Sequence, residues 1–138
     1  MATIIRQSYI DKIERYLGKE TIIVLVGQRR VGKSCMMKMI RNRKKADDGN
    51  NIIYIDKEKR EFDNIQTYQD LNDYIGEHFL SDKHNYILID EIQDIKDFER
   101  SIRSYRTEPN TDIIITGSNA RMLSNELSTL IGGRYKEI

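Results

Sequence analysis

The sequence predicts an α/β domain built on a parallel sheet with helices on both faces, and three observations predict it. Short apolar runs rich in β-branched residues recur at 21–26, 51–56, 86–90 and 112–116. They are continuous rather than alternating, as strands buried on both faces are. Amphipathic stretches with helical spacing lie between them, and strand–helix alternation of this kind gives parallel sheets with right-handed crossovers.

Each element has its own local reason. Tyr9, Ile10, Ile13, Tyr16 and Leu17 fall on one face of an N-terminal helix that Gly18 closes. Met36, Met37, Met39 and Ile40 line a helix after the first strand. Ile65, Tyr68, Leu71, Ile75 and Phe79 make a longer stripe, with Asp63 and Gln66 spaced as a capping box at its start. Ile95, Phe98, Ile102 and Tyr105 form a third stripe, stopped before Pro109. Leu123, Leu127, Leu130 and Ile131 form the last, ended by Gly132 and Gly133. Pattern alone reads these stripes as core, so function belongs to the loops at the strand ends.

Composition narrows the class. A chain of 138 residues suits one domain. Charged residues make up 33%, above the usual ~25%, yet they balance to a net +1. Global charge therefore gives no argument for a nucleic-acid partner, although a local basic patch such as Arg41-Asn42-Arg43-Lys44-Lys45 remains open. No apolar run approaches a membrane span. Residues 1–6 lack a basic region followed by an apolar core, so no secretory signal is expected. Cys35 is the one cysteine, which fits a reducing, cytoplasmic setting. His78 and His84 lack metal-ligand spacing and are expected to face solvent.

The strongest motif is Gly27-Gln28-Arg29-Arg30-Val31-Gly32-Lys33-Ser34, a Walker A phosphate loop. It follows a predicted strand and opens a predicted helix, as its chemistry requires. The glycines let the backbone N–H groups turn toward an anion, and the helix start adds free N–H groups and a positive dipole end. Lys33 is placed to reach the outer phosphates, and Ser34 to offer a hydroxyl to Mg²⁺. Arg29 and Arg30 face phosphate, a neighbouring subunit or solvent. Cys35 is the last residue counted with the nucleotide-binding set, its side chain expected to pack.

Tyr86-Ile87-Leu88-Ile89-Asp90-Glu91 is a Walker B pattern. Asp90 emerges at the carboxyl end of its strand, where parallel sheets bind ligands, and can hold Mg²⁺ through water. Glu91 is the candidate base for the water that attacks the terminal phosphate. The competing reading is an acidic pair at a helix start. The interval from Ser34 has room for one additional strand and two helices. No N-K-x-D guanine motif and no D-x-x-G turn follow, which argues against a GTPase. Asp-Glu points to hydrolytic ATPases that insert a strand between the phosphate-loop strand and the acidic strand. Beyond the fourth strand, Ser118 is the first candidate for a polar sensor, with Thr116 and Asn119 as alternatives. Ser118 and Asn119 also suit a helix N-cap. Arg134 is either an arginine finger, in cis or in trans, or a helix-end charge complementing the dipole.

These motifs, with Leu88-Ile89-Asp90-Glu91-Ile92-Gln93, Ile115-Thr116-Gly117-Ser118-Asn119 and Gly133-Arg134-Tyr135, resemble the AAA-like P-loop ATPase domain of many bacterial and archaeal proteins. The resemblance covers nearly the whole chain. It implies a three-layer αβα P-loop NTPase fold with strand order 5-1-4-3-2 and ATP or ADP with Mg²⁺ as ligand. Hydrolysis of ATP is the leading expectation, and a nucleotide-sensing switch or interaction module with little turnover is the alternative, since fold does not fix function. Gln28 departs from the proline common in relatives. Relatives also continue past Gly-Arg-Tyr into a fifth strand and a separate C-terminal domain. The expectation is accordingly an ATPase domain over 1–138 cut within its fifth strand, with the outer edge of the first strand exposed. Its partners are then the attached domain, a homo-oligomer or nucleic acid, with no membrane.

Overall fold

The computed structural model describes residues 11, 13–15, 22–25, 33–117 and 136–137, of which Lys33, Ser34, Lys136 and Glu137 are described by backbone alone. Five strands, β1 (Ile22–Leu25), β2 (Asn50–Asp56), β3 (His84–Asp90), β4 (Thr111–Thr116) and β5 (Lys136–Glu137), form one sheet in the order β2-β3-β4-β1-β5. Every pairing is parallel. This is the strand order implied by the resemblance, and β4 is the strand inserted between the phosphate-loop strand and the acidic strand. The helices are α1 (Lys33–Lys45), α2 (Tyr68–His78) and α3 (Phe98–Tyr105).

Two apolar layers explain why the strand runs are continuous. Ile22, Val24, Ile87, Ile89, Ile113 and Ile115 pack on one face against Leu71 and Ile75 of α2 and Phe98 and Ile102 of α3. Their neighbours Ile23, Leu25, Leu88 and Ile114 point the opposite way, onto Met37 and Ile40 of α1 and onto Ile13. Alternation of side chains along each strand thus feeds two cores at once.

The structure corrects the sequence reading in three places. The edge of β1 is partly covered, because Lys136 and Glu137 pair with Ile23 and Val24. The long helix begins at Tyr68: Thr67 is its N-cap, in a capping box with Asp70, and Asp63 sits earlier, closing a short 3₁₀ turn. The Gln66 and Thr67 amides hold the Asp70 carboxyl below the usual carboxylate range. His84 does not face solvent freely. Its Nε2 lies 2.7 Å from Oδ2 of the fully buried Asp112, across the β3–β4 boundary. The basic end of α1 is largely solvated, with Arg43 and Lys45 exposed, while Lys44 bonds Glu14 at 3.0 Å and the Arg41 guanidinium lies 5.1 Å from the Tyr54 ring centroid. His78 is exposed, as expected. The expected helix over 123–131 and most of the N-terminal helix lie outside the described residues. No helix among the described residues is long and apolar enough to cross a membrane.

Asn85 fixes the entry to β3. It is fully buried, and its Oδ1 accepts from the Leu80 amide at 3.1 Å and from Asn51 at 2.8 Å. Its Nδ2 donates to the carbonyls of Leu80 and Lys83. Asn85→Ala is expected to lower stability by about 1–3 kcal/mol, because it removes a buried side chain whose four hydrogen bonds tie the Leu80–Lys83 turn and Asn51 to the start of β3. Denaturant unfolding measures this.

Candidate functional site

Parallel strands of matched register end together. Leu25 of β1 pairs with Thr116 of β4, Ile89 of β3 with Ile115 of β4, and Asp56 of β2 with Asp90 of β3. The sheet thus brings Asp56, Asp90 and Thr116 to the carboxyl edge from which β1 leads on to the phosphate-loop sequence. At ~4.8 Å per strand spacing, β1 and β3 lie about 10 Å apart across β4. Of the phosphate loop, residues 27–32 lie outside the described residues. The flanking elements are as predicted: β1 ends at Leu25 and α1 begins at Lys33. The first turn of α1 carries no acidic residue, while Arg43, Lys44 and Lys45 fill its last turn. A first turn without acidic residues suits an anion at the positive dipole end. Cys35 is half-buried on this helix.

The acidic pair is the best-defined part of the site. Asp90 is 1% exposed and Glu91 8%, and Thr116 is fully buried. One hydroxyl ties the three together. Thr116 Oγ1 donates to Asp90 Oδ1 and accepts the Glu91 backbone N–H at 3.0 Å. Glu91 sits in the left-handed region, at φ 59° and ψ 52°. A non-glycine residue pays for that conformation with ~1–3 kcal/mol of strain, and such residues cluster at active sites. The chain then turns through a 3₁₀ segment, Ile92–Asp94. From this turn Gln93 Nε2 donates back to Glu91 Oε2.

Buried carboxylates give this edge a negative potential. Burial raises the Tyr54 phenol far above its ordinary value, and the charges of Asp90 and Asp56 push it further. Asp56 Oδ1 accepts the Glu58 amide at 3.0 Å, which caps the end of β2. Lys57 is turned away, its Nζ donating to the carbonyl of Phe62 at 2.6 Å and to that of Ile65. Among the described residues no group of three or more histidine, cysteine, aspartate or glutamate side chains is arranged to hold a metal. The oxygen donors at this edge suit Mg²⁺, which is typically held by one or two carboxylates together with substrate phosphate oxygens.

Sequence reasoning placed Asp90 and Glu91 correctly at the strand end, and Glu91 precedes a short 3₁₀ turn rather than an α-helix. Of the three sensor candidates, Ser118, Thr116 and Asn119, Thr116 lies among the described residues, and its hydroxyl bonds the acidic pair. Ser118, Asn119 and Arg134 lie outside the described residues. Gln93 was legible only as the last residue of the Leu88–Gln93 motif, with no role attached to it. Thr116→Val is expected to cost about 1–3 kcal/mol in thermal or denaturant unfolding, since it removes the partner of one buried amide and one buried carboxylate.

The comparisons agree with this geometry. A family model described as an AAA domain matches residues 19–138. An uncharacterised protein of Haemophilus influenzae is 37% identical over 140 residues, covering 99% of this chain and 35% of that protein. An uncharacterised protein of Methanocaldococcus jannaschii is 31% identical over 122 residues, covering 88% of this chain and 26% of that protein. The chain thus spans about a third or less of the length of these relatives. Among solved structures, Cdc6p of Pyrobaculum aerophilum superposes with a TM-score of 0.69 at 13% identity, over 96% of this chain and 44% of that one. A chain of the Drosophila origin recognition complex bound to DNA superposes at 0.64 and 11% identity, over 100% of this chain and 92% of that one. At such identities the likeness is one of fold. Strand order, acidic strand end and family match together make this chain a member of the AAA family of P-loop ATPase domains.

Proposed function

We propose that the chain binds Mg-ATP, hydrolyses it, and uses the cycle to drive or gate an attached C-terminal module. The observation that carries the reading is the Asp90–Glu91 pair, held by Thr116 at the sheet edge where β1 leads on to a Walker A sequence. In this reading residues 27–32 wrap the phosphates with backbone N–H groups, and Cys35 completes the loop-to-helix junction. Lys33 neutralises the outer phosphates. Ser34 and Asp90 would hold Mg²⁺, which when bound would supply positive charge against the phosphates. Glu91 takes a proton from the attacking water, Ser118 senses the terminal phosphate, and Arg134 supplies charge in cis or from a neighbouring copy. Residues 1–138 act as the ATPase domain of a longer cytoplasmic protein, a reading supported by the greater length of the relatives.

A second reading, an ATPase that works on nucleic acid, draws on the fold shared with a complex bound to DNA. The near-neutral charge of this chain gives it no further support. Steady-state ATP hydrolysis by the intact protein, with and without Mg²⁺ and with and without duplex DNA, tests both. Mg-dependent turnover is the expected result. Stimulation by DNA favours the second reading, and a protein that neither binds nor turns over ATP overturns both.

A further inference from the structure

We infer that Gln93 is a positioning residue for Glu91, holding its carboxylate in one orientation for proton abstraction. The inference rests on the ATPase reading above and deepens it.

The backbone of Glu91 is secured at both ends. Its N–H donates to Thr116 Oγ1 at 3.0 Å, and its carbonyl accepts from the Asp94 amide at 3.3 Å. Neither bond restrains the carboxylate at the end of a three-torsion side chain. Gln93 does, through its Nε2–H donated to Glu91 Oε2. A carboxylate accepts only, so the amide must present its NH₂ side to Glu91. Its carbonyl is then committed elsewhere, and Gln93 Oε1 is buried with no hydrogen-bond partner. A buried acceptor left unpaired is costly, and folds tend to keep such groups where function requires them.

The platform that carries Gln93 is rigid. Ile92 and Ile95 on either side are buried in the core. Lys96 is clamped between backbone partners, its N–H on the Gln66 carbonyl at 2.8 Å and its carbonyl on the Tyr68 amide at 2.9 Å. A base held by a locked neighbour needs little reorganisation when the reaction occurs.

The decisive variant is Gln93→Met, which keeps the length of the side chain, removes the donor and removes the unpaired carbonyl. In the intact protein its melting temperature is expected to stay level or rise. Its kcat for ATP is expected to fall about tenfold or more, with KM and ADP affinity unchanged. Gln93→Glu, which sets a second carboxylate against the first, is expected to lose more. In a Glu91→Gln background, Gln93→Met should lower the rate no further, because its effect passes through Glu91. Wild-type kcat in Gln93→Met, an equal loss in both backgrounds, or a fall in stability that matches the fall in rate overturns the inference. If those occur while Glu91→Gln alone is inactive, the ATPase reading stands and only the role of Gln93 is lost. Wild-type turnover in Glu91→Gln itself removes both.

Discussion

Glu91→Gln is expected to keep ATP bound while hydrolysis falls by roughly 10²–10⁴-fold, the usual contribution of a general base. The substitution is nearly isosteric. It leaves the backbone N–H free to bond Thr116 Oγ1, so the left-handed turn at φ 59° should persist. It also leaves an amide oxygen to accept from Gln93. What it removes is the ability to take a proton. Calorimetry with ATP and a steady-state phosphate-release assay on the intact protein separate the two effects. Asp90→Asn should behave differently, weakening the dependence on Mg²⁺, because Asp90 is the carboxylate at the strand end itself. A Glu91→Gln protein that turns over ATP at the wild-type rate reduces Glu91 to a carboxylate at the start of a 3₁₀ turn.

Lys33→Ala is the second large effect, and it should fall on binding rather than on chemistry. Lys33 opens α1, whose buried face is carried by Met36, Met37 and Ile40. Alanine is a good helix former, so the helix should tolerate the change. The expected loss in nucleotide affinity is about 2–5 kcal/mol, since removing one partner of a desolvated charge pair leaves the phosphate charge uncompensated. Isothermal calorimetry with Mg-ATP and with ADP reads it directly. Unchanged affinity in a folded Lys33→Ala protein overturns the assignment of Lys33 to the phosphates.

The strands were legible because their signal is local. Runs at 51–56, 86–90 and 112–116 became β2, β3 and β4 with ends shifted by at most two residues. The helix of the Ile65–Phe79 stripe was legible in its face and misread in its start. Asp63 and Gln66 have the spacing of a capping box, but Thr67 and Asp70 form the one that exists. Both pairs suit a cap locally. Which one is used depends on where the chain is pinned, and Tyr68 is held by the Lys96 carbonyl of a distant segment.

The sequence by itself determined the alternation of strands and helices, the phosphate-loop pattern and the acidic pair, because each follows from neighbours within a few residues. Strand order 5-1-4-3-2 came with the family resemblance. Only the tertiary structure decided which polar groups meet. Thr116 reaches Asp90 and Glu91 because β4 lies beside β3 in register. His84 finds Asp112 by the same adjacency at the opposite edge. Asp56 comes level with Asp90 through the pairing of β2 and β3. Residues more than twenty positions apart are matched by register, and register is set by how two apolar faces pack at once. Gln93 is the exception in distance though not in cause. It stands two residues from Glu91, yet it reaches back only because the core holds Ile92 and Ile95 and so forces the intervening chain into a tight turn.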